Sequence, residues 1–299
     1  MPIFKEIKEN LKALSNIETI TRAYQEIANL RMNEIRQTVL SNREFIEELS
    51  RVYTLAKKAY PALLKMGGGA MKVKENKFSF PPFAAARVKE GSVIKRSRGK
   101  VAVFLSCNKP FYGTLILDIW QEIQRDLKEK GGDLVVVGKT GKYFAETSGW
   151  GMKMFYFELD DEKPERERVK EIIEFLENYE EIIIFHGRFH TVLSQKVVQT
   201  NISGITLEKE LGEVKSYLFE PPLEAILEFF ETELMSAFFN QTLLEHRLSR
   251  YATRMVAMYQ ATENAEKIRE KLETEQKKLE RQLLNKKQIE VFSGFQLWT

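Results

Sequence analysis

A single cysteine, Cys107, stands in 299 residues, which excludes an internal disulfide and fits a reducing compartment. The thiol reads as a small apolar filler at a strand end. Histidine is nearly as scarce. His186 and His190 are four apart, but Gly187 and a strand end keep them off one helical face, and no third ligand is near. No metal site is expected from them. His246 stands alone in a helix, at a solvated or seam-edge position. No Ser–His–Asp set, Cys–His pair or paired carboxylates in an evident pocket stands out, so neither a catalytic residue nor a cofactor is expected.

Other absences narrow the class further. No apolar run approaches the roughly 20 residues that span a bilayer. Residues 1–10 lack the apolar centre of a signal peptide. The chain is expected to be soluble, reaching a membrane only through a partner. Net charge is +3 and the pI about 8.7, too mild a bias to point to nucleic acid. Glycine is missing from both ends: none precedes Gly67, and none stands between Gly212 and Gly294.

What fills those ends is helical periodicity. From Pro2 to about Tyr60, Ile3, Ile7, Leu11, Leu14, Ile17, Thr21, Tyr24, Ala28, Ile35, Phe45, Leu49, Val52 and Ala56 recur at helical steps, with Pro61 as the expected stop. Pro221-Pro222 open a second run in which Leu223, Leu227, Phe230, Leu234, Ala237, Gln241, Leu244, Leu248, Tyr251, Met255, Met258, Thr262 and Ala265 alternate by four and three. That is a heptad seam. It is read as slipping after Ala265 and continuing at Ile268, Leu272, Leu279 and Leu283. Helices of this length would span roughly 90 to 100 Å at 1.5 Å per residue, so each needs a partner. The expectation is one long antiparallel coiled coil of the two ends.

Between them the texture changes. Val101–Ser106, Leu134–Val137, Met154–Glu158 and Ile182–Phe185 read as strands, and Leu115–Lys130, Thr140–Thr147 and Glu165–Tyr179 as helices. Phe189–Gln199 reads as a further strand. Alternating strands and helices predict a Rossmann-like α/β domain with a mostly parallel sheet. The organisation is therefore a helix over 1–60, a Gly- and Pro-containing linker over 61–99 (Gly67-Gly68-Gly69 included), the α/β domain over 100–218, and the second coiled-coil helix over 219–299. Gly138-Lys139-Thr140 resembles the end of a phosphate-binding loop, but that loop needs a glycine where Asp133 stands, so an ordinary strand-to-helix turn is expected. The basic stretch from Lys277 to Lys287 has two readings, a solvated helix face or a contact with an acidic partner surface.

Several motifs carry a likeness. Arg254-Met255-Val256-Ala257-Met258, Ala261-Thr262-Glu263-Asn264-Ala265 and Glu290-Val291-Phe292-Ser293-Gly294 resemble the C-terminal signature of F-type ATP synthase gamma subunits. Phe219-Glu220-Pro221-Pro222 is similar to the entry of that helix. Ile20-Thr21-Arg22-Ala23, Ala28–Met32, Val137–Gly141 and Phe189–Gln195 also fit the family. The resemblance implies a noncatalytic rotor shaft inside a ring of alpha and beta subunits, with nucleotide chemistry on beta. It implies the epsilon subunit and the c-ring as further partners, ion-driven rotation, and a peripheral place on the cytoplasmic face of the cell membrane. It places ring contacts at Thr21, Arg22, Lys277, Lys278, Glu280, Arg281, Asn285 and Lys287, and the seam at Leu244, Leu248, Tyr251, Met255, Met258, Thr262 and Ala265. The chain departs from the family at Cys107–Gly113, at Arg250-Tyr251 in place of Glu-His, at Glu280-Arg281 in place of Arg-Gln, and at Asn285 and Lys287 in place of Thr and Glu. Two further readings stay open: an adaptor or stalk in a divergent rotary ATPase not used for synthesis, and a small nucleotide-binding enzyme resting on Gly138-Lys139-Thr140.

Overall fold

The computed structural model describes residues 2–66, 98–149, 153–203 and 223–296. The Gly67-Gly68-Gly69 loop, the linker beyond Met66 and the Phe219–Pro222 entry lie outside them. So do the side chains of Ala56, Leu223, Leu227 and Phe230. In chain order the elements are α1 (Pro2–Met66), β1 (Arg98–Leu105), α2 (Leu115–Lys130), β2 (Asp133–Val137) and α3 (Lys139–Thr147). There follow β3 (Met154–Phe157), α4 (Arg166–Leu176), β4 (Tyr179–Phe189), β5 (Gln195–Asn201) and α5 (Leu223–Gln296). The chain divides into two compact units, Met1–Arg31 with Arg254–Thr299, and Met32–Thr253.

The larger unit is built on a five-stranded sheet of order β3-β2-β1-β4-β5. The first four strands are mutually parallel, and β5 returns antiparallel to β4. Val101–Leu105 of β1, Leu134–Val137 of β2 and Ile182–Phe185 of β4 are apolar at every position because both faces are covered there. Val101, Val103 and Leu105 point to one side, where α4 supplies Val169, Ile172 and Leu176 and α5 supplies Met235, Phe239 and Leu243. Ala102 and Phe104 point to the other, against Ile116, Ile119, Trp120 and Ile123 of α2. Phe104 stacks on Trp120 with ring centroids 5.5 Å apart. Each such fully buried side chain contributes about 1.5–3 kcal/mol. Gly131 ends α2 with φ +66°, a conformation that costs a glycine little.

Three local expectations change. α1 runs through Pro61 to Met66 instead of stopping. A proline deletes one helical N–H bond, but the Ala, Leu and Lys residues around it are strong helix formers. α4 ends at Leu176, and Tyr179 already belongs to β4. Phe189 closes β4 rather than opening a new strand, and pairs with Gln195 across a turn. Thr191 and Ser194 fix that turn by exchanging backbone hydrogen bonds of 3.1 and 3.3 Å.

In the smaller unit, the N-terminal part of α1 and the C-terminal part of α5 run antiparallel, since Glu18 meets Arg269 while Arg22 meets Glu266. Ile7, Leu11, Leu14, Glu18, Thr21, Gln25 and Ala28 line the α1 side of the seam. Met258, Thr262, Ala265, Arg269, Leu272, Gln276, Leu279 and Leu283 line the α5 side. The steps of four and three never break, so the expected slip after Ala265 does not occur. Ile268 is 48% exposed, and Arg269 takes the seam position instead. Its stem can cover apolar surface while its head reaches Glu18 and Glu273 at 2.8 and 2.9 Å. Likewise Ile3, Ile17 and Tyr24 of α1 are exposed, with Glu18 and Gln25 in the seam. In the larger unit the same helix buries Met32, Ile35, Val39, Ile46 and Tyr53, while Phe45 and Val52 are exposed. Strict spacing, not apolar character, selects the buried face.

Candidate functional site

The smaller unit brings Thr21 and Arg22 onto α5. The Thr21 and Thr262 hydroxyls are 2.7 Å apart and buried; one donates to the other, which is free to donate to the carbonyl one turn back in its own helix, 2.9 Å away for Thr21 and 3.0 Å for Thr262. Arg22 donates to Glu266 at 2.6 Å, on a pair that stays largely in water. A groove of about 380 Å³ opens there between Arg22, Gln25, Glu26, Tyr259, Glu263 and Glu266. The hydrogen bond to Glu18, that carboxylate's charge and Glu273 together hold the Arg269 guanidinium above its ordinary range. Of the remaining residues in the family's contact set, Lys277, Lys278, Arg281, Asn285 and Lys287 are exposed. Glu280 is exposed too and accepts from Gln276 at 3.2 Å. Beyond Leu283, all residues of α5 from 284 to 293 are exposed, including Leu284, Ile289, Val291 and Phe292. The seam residues divide between the units. Leu248 and Tyr251 are buried and Leu244 half-buried in the larger; Met258, Thr262 and Ala265 are buried and Met255 half-buried in the smaller.

The larger unit holds residues whose importance the sequence reading missed. In an open parallel sheet, ligands bind outside the carboxyl ends of strands where the order reverses, here between β1 and β4. That crevice is filled by α5. His246 is fully buried in it, accepting from the Gly187 amide on Nδ1 at 3.1 Å and facing the Ser106 carbonyl with Nε2 at 3.1 Å. Both contacts are satisfied only by the neutral ring with its proton on Nε2. Burial, with Arg250 and His186 nearby, pushes its pKa well below the usual histidine value. One turn on, Arg250 donates to Asp161 at 2.6 Å and to the Ser106 carbonyl at 3.3 Å, and lies over the Tyr112 ring. Burial opposes its charge, but Asp161 and Tyr112 outweigh this and hold the guanidinium above its ordinary range. Asp161 in turn accepts the amides of Asn108 and Lys109 at 2.9 Å each, fixing the loop after β1. The departure at Arg250 is thus one end of a buried ion pair. The close approach of Gly187 to Ser249 lets α5 lie against β4. A signal was available: His246 and Arg250 are one turn apart, with small Ser249, Ala252 and Thr253 beside them.

Around Gly138-Lys139-Thr140, the amides that could cradle a phosphate are engaged. Lys139 N donates to Asn108 Oδ1, Thr140 N to the Cys107 carbonyl and Gly141 N to Ser106 Oγ, all at 2.9 Å. Cys107 is buried against Thr140, with Sγ 3.4 Å from its hydroxyl. His186 is buried and bonded to Thr200 at 2.9 Å, whereas His190 is exposed in the hairpin, so the two do not converge. Among the described residues, no three His, Cys, Asp or Glu side chains gather as a metal site. No helix among them is long and apolar enough to cross a membrane.

Comparison with known proteins matches residues 4–296 to the family described as ATP synthase. An ATP synthase gamma chain from Staphylococcus epidermidis is 23% identical, with 98% of each chain covered. One from Rickettsia canadensis is 22% identical, covering 98% of this chain and 99% of that one. Among solved structures, a chain of the central stalk and c-ring of the Tetrahymena thermophila mitochondrial ATP synthase shares the fold with a TM-score of 0.53 at 16% identity. That match covers 81% of this chain and 99% of that one.

Proposed function

We propose that this chain, which belongs to the ATP synthase gamma-subunit family as a divergent member, is the noncatalytic rotor shaft of a central stalk. Alpha and beta subunits form the ring around its coiled coil, and nucleotide chemistry resides on beta. The α/β unit sits with an epsilon subunit on a c-ring at the cytoplasmic face of the membrane, and ion flow through the ring turns it. The observation that carries this reading is the bare end of α5. Residues 284–293 are a helix with no covered face, yet Leu284, Ile289, Val291 and Phe292 are apolar. An unpaired helical end with four exposed large apolar side chains gains stability from a socket that covers them, since most helical stability comes from packing of an apolar face. The shared fold and the family match support the alpha–beta ring as that socket.

The basic stretch and the Arg22 groove are the proposed contacts with the ring, through Thr21, Arg22, Lys277, Lys278, Glu280, Arg281, Asn285 and Lys287. Reversing Lys277, Lys278, Lys286 and Lys287 to glutamate is expected to impair assembly or rotation-coupled ATPase activity while leaving the melting temperature of the isolated chain nearly unchanged, because exposed charges contribute little to stability. Wild-type coupling in that variant refutes the contact. The second reading, a divergent rotary ATPase not used for synthesis, is favoured by the altered charges at Glu280 and Lys287. Ion-gradient-driven ATP synthesis by the complex decides against it.

A further inference from the structure

The larger unit also carries a cavity beside the crevice that α5 fills, lined by Arg188, next to Gly187, and by Leu248, between His246 and Arg250. It measures about 390 Å³ and lies between α1 and the β4–β5 hairpin. Its floor is apolar: Val39 and Leu248 are buried beneath it, with Phe189 and Leu40 partly open to it. Its rim is cationic, with Arg36, Arg188 and Lys196 exposed and His190 beside them. A further wall residue, Arg43, is already bound by both oxygens of Glu245. Among the described residues, no carboxylate pairs with Arg36, Arg188 or Lys196.

The hairpin makes this arrangement costly. Arg188 and Lys196 are direct cross-strand partners in the β4–β5 register. Side chains so placed have Cβ atoms about 5 Å apart, and like charges there destabilise the pair. An edge hairpin that holds two cations face to face, aimed with Arg36 at one cavity, is arranged for an anion. We propose that this cavity binds a small phosphate-bearing anion, of the size and charge of a nucleoside diphosphate. Three permanent cations match a diphosphate rather than a single phosphate. The guanidinium forks of Arg36 and Arg188 suit bidentate bonding to phosphate oxygens. The Phe189–Leu40 floor takes an apolar or aromatic body beside the phosphates, and the volume lies in the range of small-molecule sites.

The test is calorimetric titration of the full chain at low ionic strength with ADP, pyrophosphate and inorganic phosphate. ADP and pyrophosphate are expected to bind at one site, with inorganic phosphate about tenfold weaker or more, since it forgoes at least one charge-assisted hydrogen bond. Equal binding of ADP and pyrophosphate assigns recognition to the phosphates alone; tighter ADP binding adds the Phe189 floor. Lys196→Glu is expected to weaken both about tenfold to a hundredfold. The same change turns the Arg188 repulsion into attraction, so the variant is expected to melt at the native temperature or above. Lys139→Ala is expected to bind as the native chain does. Absence of binding, undiminished binding by Lys196→Glu, or loss in Lys139→Ala, which would place the ligand at the Gly138 turn, each overturns the proposal.

Discussion

The Arg250–Asp161 pair offers a test of how α5 is locked into the sheet. Both side chains are nearly sealed, 6% and 5% exposed. Removing one member of such a pair destabilises by about 3–5 kcal/mol, because the other charge is left without a partner in a medium that solvates it poorly. The two ends are not equivalent here. Asp161→Ala leaves Arg250 with the Ser106 carbonyl at 3.3 Å and the Asp161 carbonyl at 3.2 Å, both neutral acceptors. It also takes the acceptor from the Asn108 and Lys109 amides. Arg250→Met instead leaves Asp161 bonded to those two amides, so its charge keeps strong donors. The loss for Asp161→Ala is therefore expected near the top of that range, and for Arg250→Met about 1–3 kcal/mol. At about 2–4 °C per kcal/mol for a unit of this size, the first variant should melt roughly 10–20 °C lower. The assay is urea and thermal unfolding of the full chain followed by circular dichroism. An Asp161→Ala loss below about 1 kcal/mol, or a larger loss for Arg250→Met, refutes the argument that the carboxylate is the hub.

Three further outcomes are expected. The buried histidines make the larger unit acid-sensitive: burial and then its neighbours hold His246 well below the usual value, and burial lowers His186 to about 4. An unfolded histidine titrates near 6.5, so the unfolded chain takes up protons first as pH falls. The contribution is thus complete above about pH 6.5 and falls between there and pH 4, by about 3 kcal/mol for His186 alone. His246→Gln with His186→Gln should flatten that slope in urea titrations at pH 7.5, 6 and 5, and an unchanged slope would assign it elsewhere. Gly187→Ala would put a Cβ 2.7 Å from Ser249 Oγ and 3.0 Å from Leu115. It should cost about 1–3 kcal/mol, with partial recovery in Gly187→Ala with Ser249→Gly; a neutral single variant contradicts the close approach. In the smaller unit, Thr21→Val with Thr262→Val replaces both hydroxyls by methyls of similar shape and should hold or raise the melting temperature, because neither partner is left unsatisfied. A drop of several degrees would show that the Thr21–Thr262 bond holds the pair together.

The sheet was legible because its signal is local. Val101–Leu105 and Leu134–Val137 are apolar at every position, and a strand buried on both faces has no other composition. Gly131-Gly132 marked the end of α2 for the same reason, a backbone conformation that other residues avoid. The β4–β5 turn was missed because Thr191, Val192, Leu193 and Ser194 carry no Gly, Pro or Asn, and the turn is closed by backbone bonds instead. For the plugged crevice the spacing of His246 and Arg250 beside small residues marked a face of α5, but not what that face meets. His246 meets Gly187 and Ser106 across 59 and 140 residues of sequence, and nothing local to His246 announces either partner.

The seam shows where composition misleads about a coil. Ile17, Tyr24 and Ile268 are better apolar residues than Glu18, Gln25 and Arg269, yet the latter face inward. Apolar residues left outside and polar ones placed inside do not maximise the stability of an isolated pair of helices. Polar layers instead favour one register, because the Glu18–Arg269 and Thr21–Thr262 contacts form only when those positions are level. In the proposed role that constraint matters, because two helices free to slide past each other would dissipate a twist as slippage. The apolar residues outside then become available for surfaces the chain itself does not supply. The same logic governs the end of α5, where the seam stops at Leu283 and apolar side chains continue to Phe292. The register is set within the chain, and the outer apolar faces and bare tip are left for the partners of the proposed role.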